Sequence, residues 1–410
     1  MTAERAFDVL IVGGGIGGIA AALECSRSGL RAAIVEKTIL WGGLCTSGLV
    51  PVYMPLCDGR GRQVTFGIAE ELLKASIKYG PGDIPDPWHS RAGGPAEEDP
   101  RLDPLYAEGS IGKRYATAYS PVAFALALDE VLEASGAELW LDTLACVPVM
   151  VGSKVAGIEV ENKSGRITLT AACVIDGTGD ADIACRAGAA CDEGRSYPSV
   201  LYQYVSLALA REAVARGSGS RMVMWTGGGA NEWSQGYDGP SPRLSGTRGK
   251  DVSAFVMESR RIVRQALVEQ QAAEREGRKN IYPVTLPTTA QFRMTRTIRG
   301  HETVSENRCN QRCDTSVGLI ADCRKRAAVW EVPYGALVPK GVHNLLVAGR
   351  CIAAEGYAWQ VARLIQAAAL TGQVAGIAAT LAIRGKTSPD KLDVKDVQSA
   401  AEQKGIVLHL

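Results

Sequence analysis

Three glycines and one carboxylate are the first residues of this chain whose types and spacing suit a particular chemistry. In Asp8-Val-Leu-Ile-Val-Gly-Gly-Gly-Ile-Gly-Gly18, the positions Gly13, Gly15 and Gly18 read Gly-x-Gly-x-x-Gly, behind a short apolar run and ahead of an alanine-rich stretch. Glycine lets the backbone turn tightly and approach a pyrophosphate, whose charge then rests on the helix N-terminus. Glu36 lies 36 − 13 = 23 residues on, at the end of a second apolar run. A carboxylate at that distance accepts hydrogen bonds from ribose hydroxyls. Together these residues predict a dinucleotide site; the glycine loop by itself does not choose the dinucleotide.

Further along, Arg293-Met-Thr-Arg-Thr-Ile-Arg-Gly-His-Glu302 gathers three arginines and one of only four histidines. Arg296 and Arg299 can clamp a carboxylate in bidentate fashion, while His301 or Glu302 can exchange a proton. The same alternation of Arg and Thr also describes a solvated β-face. Cys309-x-x-x-Cys313 with Cys323 lacks Cys-x-x-Cys spacing and a nearby fourth ligand, and Arg308, Arg312 and Arg324 surround it, so no metal is expected. Gly227-Gly228-Gly229 follows no buried strand and precedes no helix, which argues against a second nucleotide fingerprint. Arg260-Arg261 and Glu274–Lys279 read as a solvated face or a subunit contact.

These residues need elements to hold them. Residues 8–12 read as a strand, Ile19–Leu30 as a helix and Arg31–Glu36 as a second buried strand. From Trp41 to about Ile111 the pattern is irregular, apart from a helix at Ile68–Tyr79. A helix at Pro121–Ser135 precedes strands within Glu138–Val151 and Val155–Glu161, a turn at Asn162–Gly165, and the run Arg166–Ala171 leading into Cys173–Ile175. Between 190 and 335 the character changes: a β-like segment at Val200–Leu207, a Gly/Ser/Pro-rich stretch from Gly217 to Gly249, and a long polar helix at Val252–Glu276. A strand at Asn344–Ala348 and a helix from about Val361 to Arg384 follow. The tail from Ser388 reads as a short helix ending in a strand. The expectation is an α/β fold: a Rossmann-type cofactor domain from residues 1–190 and 336–386, an inserted β-sheet-plus-helix substrate domain at 191–335, and a tail at 387–410.

Composition bounds the partners. The 410 residues are 46% hydrophobic and 22% charged with 46 glycines, the profile of a globular protein with a sizeable core. Lys plus Arg number 45 against 44 for Asp plus Glu, a net charge of +1, so no bulk field favours nucleic acid or an anionic membrane. Eleven scattered cysteines point to free thiols in a reducing compartment, with the cytoplasm as the default. The apolar stretches at Val9–Leu23 and Gln366–Ile383 are interrupted by glycines and polar residues, so no membrane span and no cleaved signal are expected.

The opening segment resembles the FAD domain of the glutathione-reductase type, and three further segments carry the resemblance. They are Trp41-Gly-Gly-Leu-Cys-Thr-Ser-Gly48, Cys173-Val-Ile-Asp-Gly-Thr-Gly-Asp-Ala-Asp182, and Asn344-Leu-Leu-Val-Ala-Gly-Arg-Cys-Ile352 with Thr371-Gly-Gln-Val-Ala-Gly376. The resemblance implies FAD as cofactor, with Gly42, Gly43, Leu44, Gly177, Thr178, Gly179, Gly349 and Arg350 joining Gly13, Gly15, Gly18 and Glu36 around it, and with backbone near Val147 pairing with adenine. Asp314–Leu319, Glu331–Gly335 and Trp359-x-x-x-Arg363 resemble segments of bacterial FAD-dependent oxidoreductases related to fumarate-reductase flavoproteins. Gln366 stands where that group usually carries proline.

What the resemblance implies for chemistry is hydride transfer between a small organic, possibly carboxylated, substrate and flavin N5. Tyr357, Trp359 and Arg363 would lie beside the flavin, with Arg363 binding an anionic group and Arg299, His301 and Tyr357 completing the catalytic set. Cys45 aligns with the first cysteine of a disulfide reductase, but Val50 takes the place of the second, so thiol chemistry is disfavoured. Electrons would enter and leave through visiting molecules, whether small substrate or an unidentified electron-transfer partner, and a homo-oligomer stays open. Two alternatives remain: a flavin monooxygenase or halogenase, and a non-catalytic flavin-binding or assembly subunit.

Overall fold

The computed structural model of the chain describes residues 4–60, 62–83, 115–231, 234–273 and 277–410. Most of the Pro/Gly-rich excursion expected between Gly80 and Pro104 and the last residues of the long polar helix lie outside the described residues.

The chain begins as the apolar patterning requires. Strand β1 (Glu4–Val12) ends at the glycine loop, helix α1 (Ile16–Arg27) follows, and β2 (Ala32–Val35) returns parallel to β1, with Val9 opposite Ala32 and Val12 opposite Val35. Beyond β2 come the two-residue strand β3 (Val52–Tyr53), helix α2 (Ile68–Ile77) and β4 (Thr117–Ala118), which pairs with β3. Helix α3 (Pro121–Ser135) has the Ser120 hydroxyl accepting from the Ala123 N–H, proline at its first position and Gly136 at its end with φ +77°. Those are the start and stop signals the sequence displays. Strands β5 (Glu138–Trp140), β6 (Leu144–Val151), β7 (Lys154–Asn162) and β8 (Gly165–Asp176) complete most of the main sheet.

Strand β8 is twelve residues long because it serves two neighbours on one edge. Its first half pairs antiparallel with β7, and its last residues pair parallel with β16 (Leu345–Val347), after an excursion of almost 170 residues. The order β5-β2-β1-β8, with β7-β6 continuing the meander and β16 beside the far end of β8, gives a parallel Rossmann-type core with an antiparallel extension. The expected α/β class is the observed one.

Between β8 and β16 the chain builds α4 (Asp182–Arg186), β9 (Cys191–Glu193), β10 (Ser199–Ser206), α5 (Leu207–Arg216), β11 (Met224–Gly229), α6 (Gly249–Ala273), β12 (Ile281–Thr285) and β13 (Arg296–Ile298). Strands β11-β10-β12 form an antiparallel sheet packed on α6, and β9 pairs with β13. Gly227–Gly229 lie within β11, at the edge of that sheet. The two strands of a hairpin, β14 (Ser316–Ala321) and β15 (Val329–Pro333), are wholly buried, and β14 packs against the last long helix.

That last region holds α7 (Gly356–Ala362), α8 (Ile365–Arg384) and α9 (Val394–Gln403). The single helix expected from Val361 is thus two, separated by a turn at Arg363–Leu364. Helix α8 is long and apolar enough to cross a membrane, yet 89% of its apolar window is buried inside the protein, so it is a core helix. It lies so close to α1 that a Cβ on Gly372 would stand 2.0 Å from the Gly17 carbonyl oxygen. Residues 406–410 form no strand; the Ser316 hydroxyl donates to the Leu408 carbonyl, and His409 Nδ1 meets Glu331 at 2.9 Å.

Candidate cofactor and substrate site

The carboxyl ends of β1, β8 and β16 open onto one cavity of about 920 Å³. That is where ligands sit in parallel sheets, because the loops diverge there and helix N-termini face the gap. Gly13 turns with φ +103°, and a Cβ on it would stand 2.5 Å from the Gly177 carbonyl oxygen. Gly18 lies behind, not at the cavity: a Cβ there would meet the Gly13 oxygen at 1.9 Å, so its smallness lets α1 pack against the loop. Gly15 is different. A Cβ there has nothing nearer than 4.0 Å and would project into open space at the amino end of α1.

Two helix N-termini face the cavity. The α1 cap Gly15 and the α8 cap Leu364 make no side-chain cap hydrogen bond, and both line the cavity. Their first N–H groups and the partial positive charge of each helix are therefore available to an anion. Glu36 completes the dinucleotide end: Oε2 accepts the Gly14 N–H at 2.8 Å and Oε1 the Thr38 N–H at 2.9 Å. Each carboxylate oxygen retains lone-pair capacity for a ribose hydroxyl. The open cradle over Gly15, the two helix ends and this docked carboxylate fit a dinucleotide with a pyrophosphate.

The third wall is shaped by Asp176, which is fully buried at the end of β8. It accepts from the Thr178 N–H and hydroxyl and from the Ile183 and Ala184 N–H groups, between 2.6 and 3.0 Å, while burial pushes its carboxyl up. These bonds bend Gly177-Thr178-Gly179 against the cavity and cap α4. Arg350 locks the loop from outside: Nε donates to the Gly179 carbonyl at 2.5 Å, one terminal nitrogen to the Phe292 carbonyl and the other to Asp180, both at 2.6 Å. Gly349, with φ +80°, donates its N–H to the Thr371 hydroxyl at 3.0 Å. Gly42, Gly43 and Leu44 line the opposite side.

The remaining wall is cationic. Arg293, Arg324, Arg350 and Arg363 all reach the cavity. Arg363 is half-buried, and desolvation first, then the charges of Arg293, Arg350 and Arg324, push its guanidinium down to about 9, leaving it cationic at neutral pH. Its Nε donates to Gln360 Oε1 at 2.8 Å. Crowded like charges in a half-buried wall are relieved when an anion enters. Gln291 fastens this wall to the cofactor side by donating to the Gly48 carbonyl and accepting the Leu201 N–H at 2.6 Å. Cys45 also lines the cavity, and burial pushes its thiol up to about 12, so it stays protonated.

Other expected residues lie elsewhere. Arg299 is exposed and paired with Asp192 at 2.7 Å, and Arg296 pairs with Asp182 at 3.7 Å. His301 is exposed, with its N–H donating to the Val338 carbonyl. Glu302 accepts from the Thr315 hydroxyl and the Gly335 N–H, which makes it a fastener between segments. Tyr357 stands behind the Cys323–Arg324 wall, its hydroxyl bonded to Asp322 and its ring beneath Lys325 Nζ at 3.8 Å. Trp359 is buried, its indole N–H donating to the Arg350 carbonyl at 2.8 Å. Val147 is 45% exposed on β6 and off the cavity, which Leu144 of the same strand lines. Among the described residues no cluster of metal-ligating side chains occurs.

Residues the sequence reading passed over are Arg293, Arg324, Gln291 and Asp176. Arg293 and Asp176 lie inside segments already singled out, three positions from Arg296 and one from Gly177. Arg324 and Gln291 carried no signal beyond their residue type.

Among curated proteins none matches the chain. Solved structures that share its shape include a geranylgeranyl bacteriochlorophyll reductase-like protein from Thermoplasma acidophilum, 14% identical, covering 98% of this chain and 83% of that one at a TM-score of 0.44. A p-nitrophenol 4-monooxygenase from Pseudomonas putida is 14% identical over 97% of this chain and 84% of its own, at 0.49. A myxobacterial chondrochloren halogenase is 13% identical over 98% and 79%, at 0.47. The profile of the FAD dependent oxidoreductase family matches residues 8–235 and 230–400, nearly the whole chain. With a dinucleotide cradle at the sheet's carboxyl edge and that match across its length, the chain belongs to the FAD-dependent oxidoreductase family, and FAD is its cofactor.

Proposed function

We propose that this chain is a dehydrogenase or reductase that moves a hydride between a small anionic organic substrate and FAD. Gly13, Gly15, Glu36, Gly42, Gly43, Leu44, Gly177–Gly179, Gly349 and Arg350 would hold the cofactor. When bound, FAD supplies a carrier for two electrons and a proton at its ring. The observation that carries the reading is the half-buried Arg363 guanidinium, crowded by Arg293, Arg324 and Arg350 on the cavity wall.

A cation held in that setting binds a carboxylate more strongly than an exposed one, because solvent screening is weak there. Arg363 and Arg293 fix the anionic end and so orient the reacting carbon. Phe292, stacked on Phe255 with ring centroids 3.9 Å apart, makes an apolar wall beside them that excludes water. The protonated Cys45 speaks against a thiolate mechanism. The resemblance of segments 314–319, 331–335 and 359–363 to flavoproteins related to fumarate reductase points the same way.

The test is anaerobic titration of the FAD-loaded protein, oxidised and reduced, against matched carboxylic acids, amines and alcohols, read by flavin absorbance. At least one carboxylated compound is expected to exchange electrons with the flavin without dioxygen. Conversion that occurs only when dioxygen is supplied would replace this reading with the monooxygenase or halogenase one. A flavin that no compound perturbs, with or without dioxygen, would favour the non-catalytic subunit.

A further inference from the structure

Helix α4 carries a feature that the proposed hydride transfer does not use. Cys185 lies in the last turn of α4, and the helix ends with Gly188 at φ +94° and the Ala189 N–H donating to the Ala184 carbonyl. That return is a left-handed glycine cap, which reverses the chain sharply. It brings Cys191, the first residue of β9, back beside Cys185, close enough for the two thiols to act on each other electrostatically. Both are half-buried and free. Cys191 also points its sulfur at the Ala189 carbonyl, 3.5 Å away.

The surroundings set the order of reactivity. Burial, reinforced by the neighbouring Cys185, pushes the Cys191 thiol up to about 12, so Cys191 stays protonated and is a slow first nucleophile. The pair also sits where a bond matters. Residues 177–180 and Asp182, just ahead of Cys185, line the FAD cavity, and β9 pairs with β13, whose Arg296 meets Asp182.

We infer that Cys185 and Cys191 form a reversible disulfide, a thiol-oxidation site with hydrogen peroxide as oxidant, that ties the cofactor loop to the β9–β13 ribbon. The Cys185 sulfur attacks one peroxide oxygen; the S–O bond forms, the O–O bond breaks, and water leaves with the thiol proton. The Cys191 sulfur then attacks the Cys185 sulfur; the S–S bond forms, the S–O bond breaks, and a second water leaves. Two thiols lose two electrons and two protons, and one peroxide becomes two waters.

The FAD-loaded protein, fully reduced and freed of reductant, is treated with a few equivalents of hydrogen peroxide and examined by intact mass, denatured thiol titration and peptide mapping. A loss of 2 Da, a fall from the 11 thiols of the sequence to 9, and a Cys185–Cys191 linked peptide are expected, all reversed by dithiothreitol. Cys185→Ser and Cys191→Ser should each abolish the 2 Da loss while retaining FAD; Cys309→Ser should leave it unchanged. Linkage between other cysteines, or stepwise gain of oxygen on the wild type without linkage, overturns the inference. So does a 2 Da loss that survives in Cys185→Ser.

Discussion

The dinucleotide end of the cavity and its cationic end are built by opposite means. At the first, backbone forms the surface: glycines without side chains, two helix N-termini, and one carboxylate docked on the glycine loop. At the second, side chains form it: Arg293, Arg324 and Arg363 arrive from three separate segments and converge on one wall. A backbone cradle tolerates almost no added atom, since any Cβ fills the space the ligand or a neighbouring strand needs. A side-chain wall tolerates substitution structurally, because removing a half-buried cation relieves repulsion, but it loses recognition. The cradle therefore fails as a fold and the wall fails as a function.

The largest effect should come from the cradle. Gly13→Val combines a left-handed backbone with a contact to the Gly177 oxygen, together costing about 2–5 kcal/mol. Purified protein should be free of flavin absorbance and melt lower. A variant that keeps stoichiometric FAD would erase the distinction between the two ends.

Next comes the wall. Arg363→Met should leave FAD bound and thermal stability equal or higher, while KM for an anionic substrate rises about 10–150-fold through loss of a charge-assisted contact of roughly 1.5–3 kcal/mol. The wild type adds a pH signature. The guanidinium, pushed down to about 9, is cationic below that pH and neutral above it, so anion affinity should weaken as pH rises through about 9. Arg363→Met should show no such dependence; a parallel decline in the variant would assign the effect to another group.

Glu36→Gln is smaller. It keeps the shape of the side chain and removes its charge, so FAD affinity measured by equilibrium dialysis should fall about tenfold. Smallest is Arg299→Ala. With its guanidinium exposed and paired to Asp192, kcat/KM should change less than about twofold. A large drop in turnover there would move the chemistry from the cavity wall to β13 and the Arg299 that follows it.

The strand, glycine turn and helix from residue 8 to 27, the helix at Pro121–Ser135 and the meander through β8 were legible because each is decided by neighbours in sequence: apolar runs, caps and turn residues. Gly177–Gly179 and Gly349–Arg350 were legible through segments that resemble known ones. The wall was not. Along an extended segment, successive side chains point to opposite sides, so nothing local says whether Arg293 or Arg296 faces the ligand. Arg293 reaches the cavity, whereas Arg296 turns to Asp182. Arg324 sits in a hairpin turn whose place depends on β14 packing against α8, a contact between segments some 50 residues apart. The break between α7 and α8 was hidden for a related reason. Val361, Leu364, Ile365 and Ala368 keep helical spacing across the break, and Arg363 in the turn lines the cavity.

By itself, then, the sequence determined the dinucleotide cradle, because backbone geometry and helix ends are properties of a few consecutive residues. Only the tertiary structure decided which charges meet around the substrate space. An electrostatic wall exists in no single segment; it arises when distant segments pack and partial burial crowds the charges of otherwise ordinary arginines.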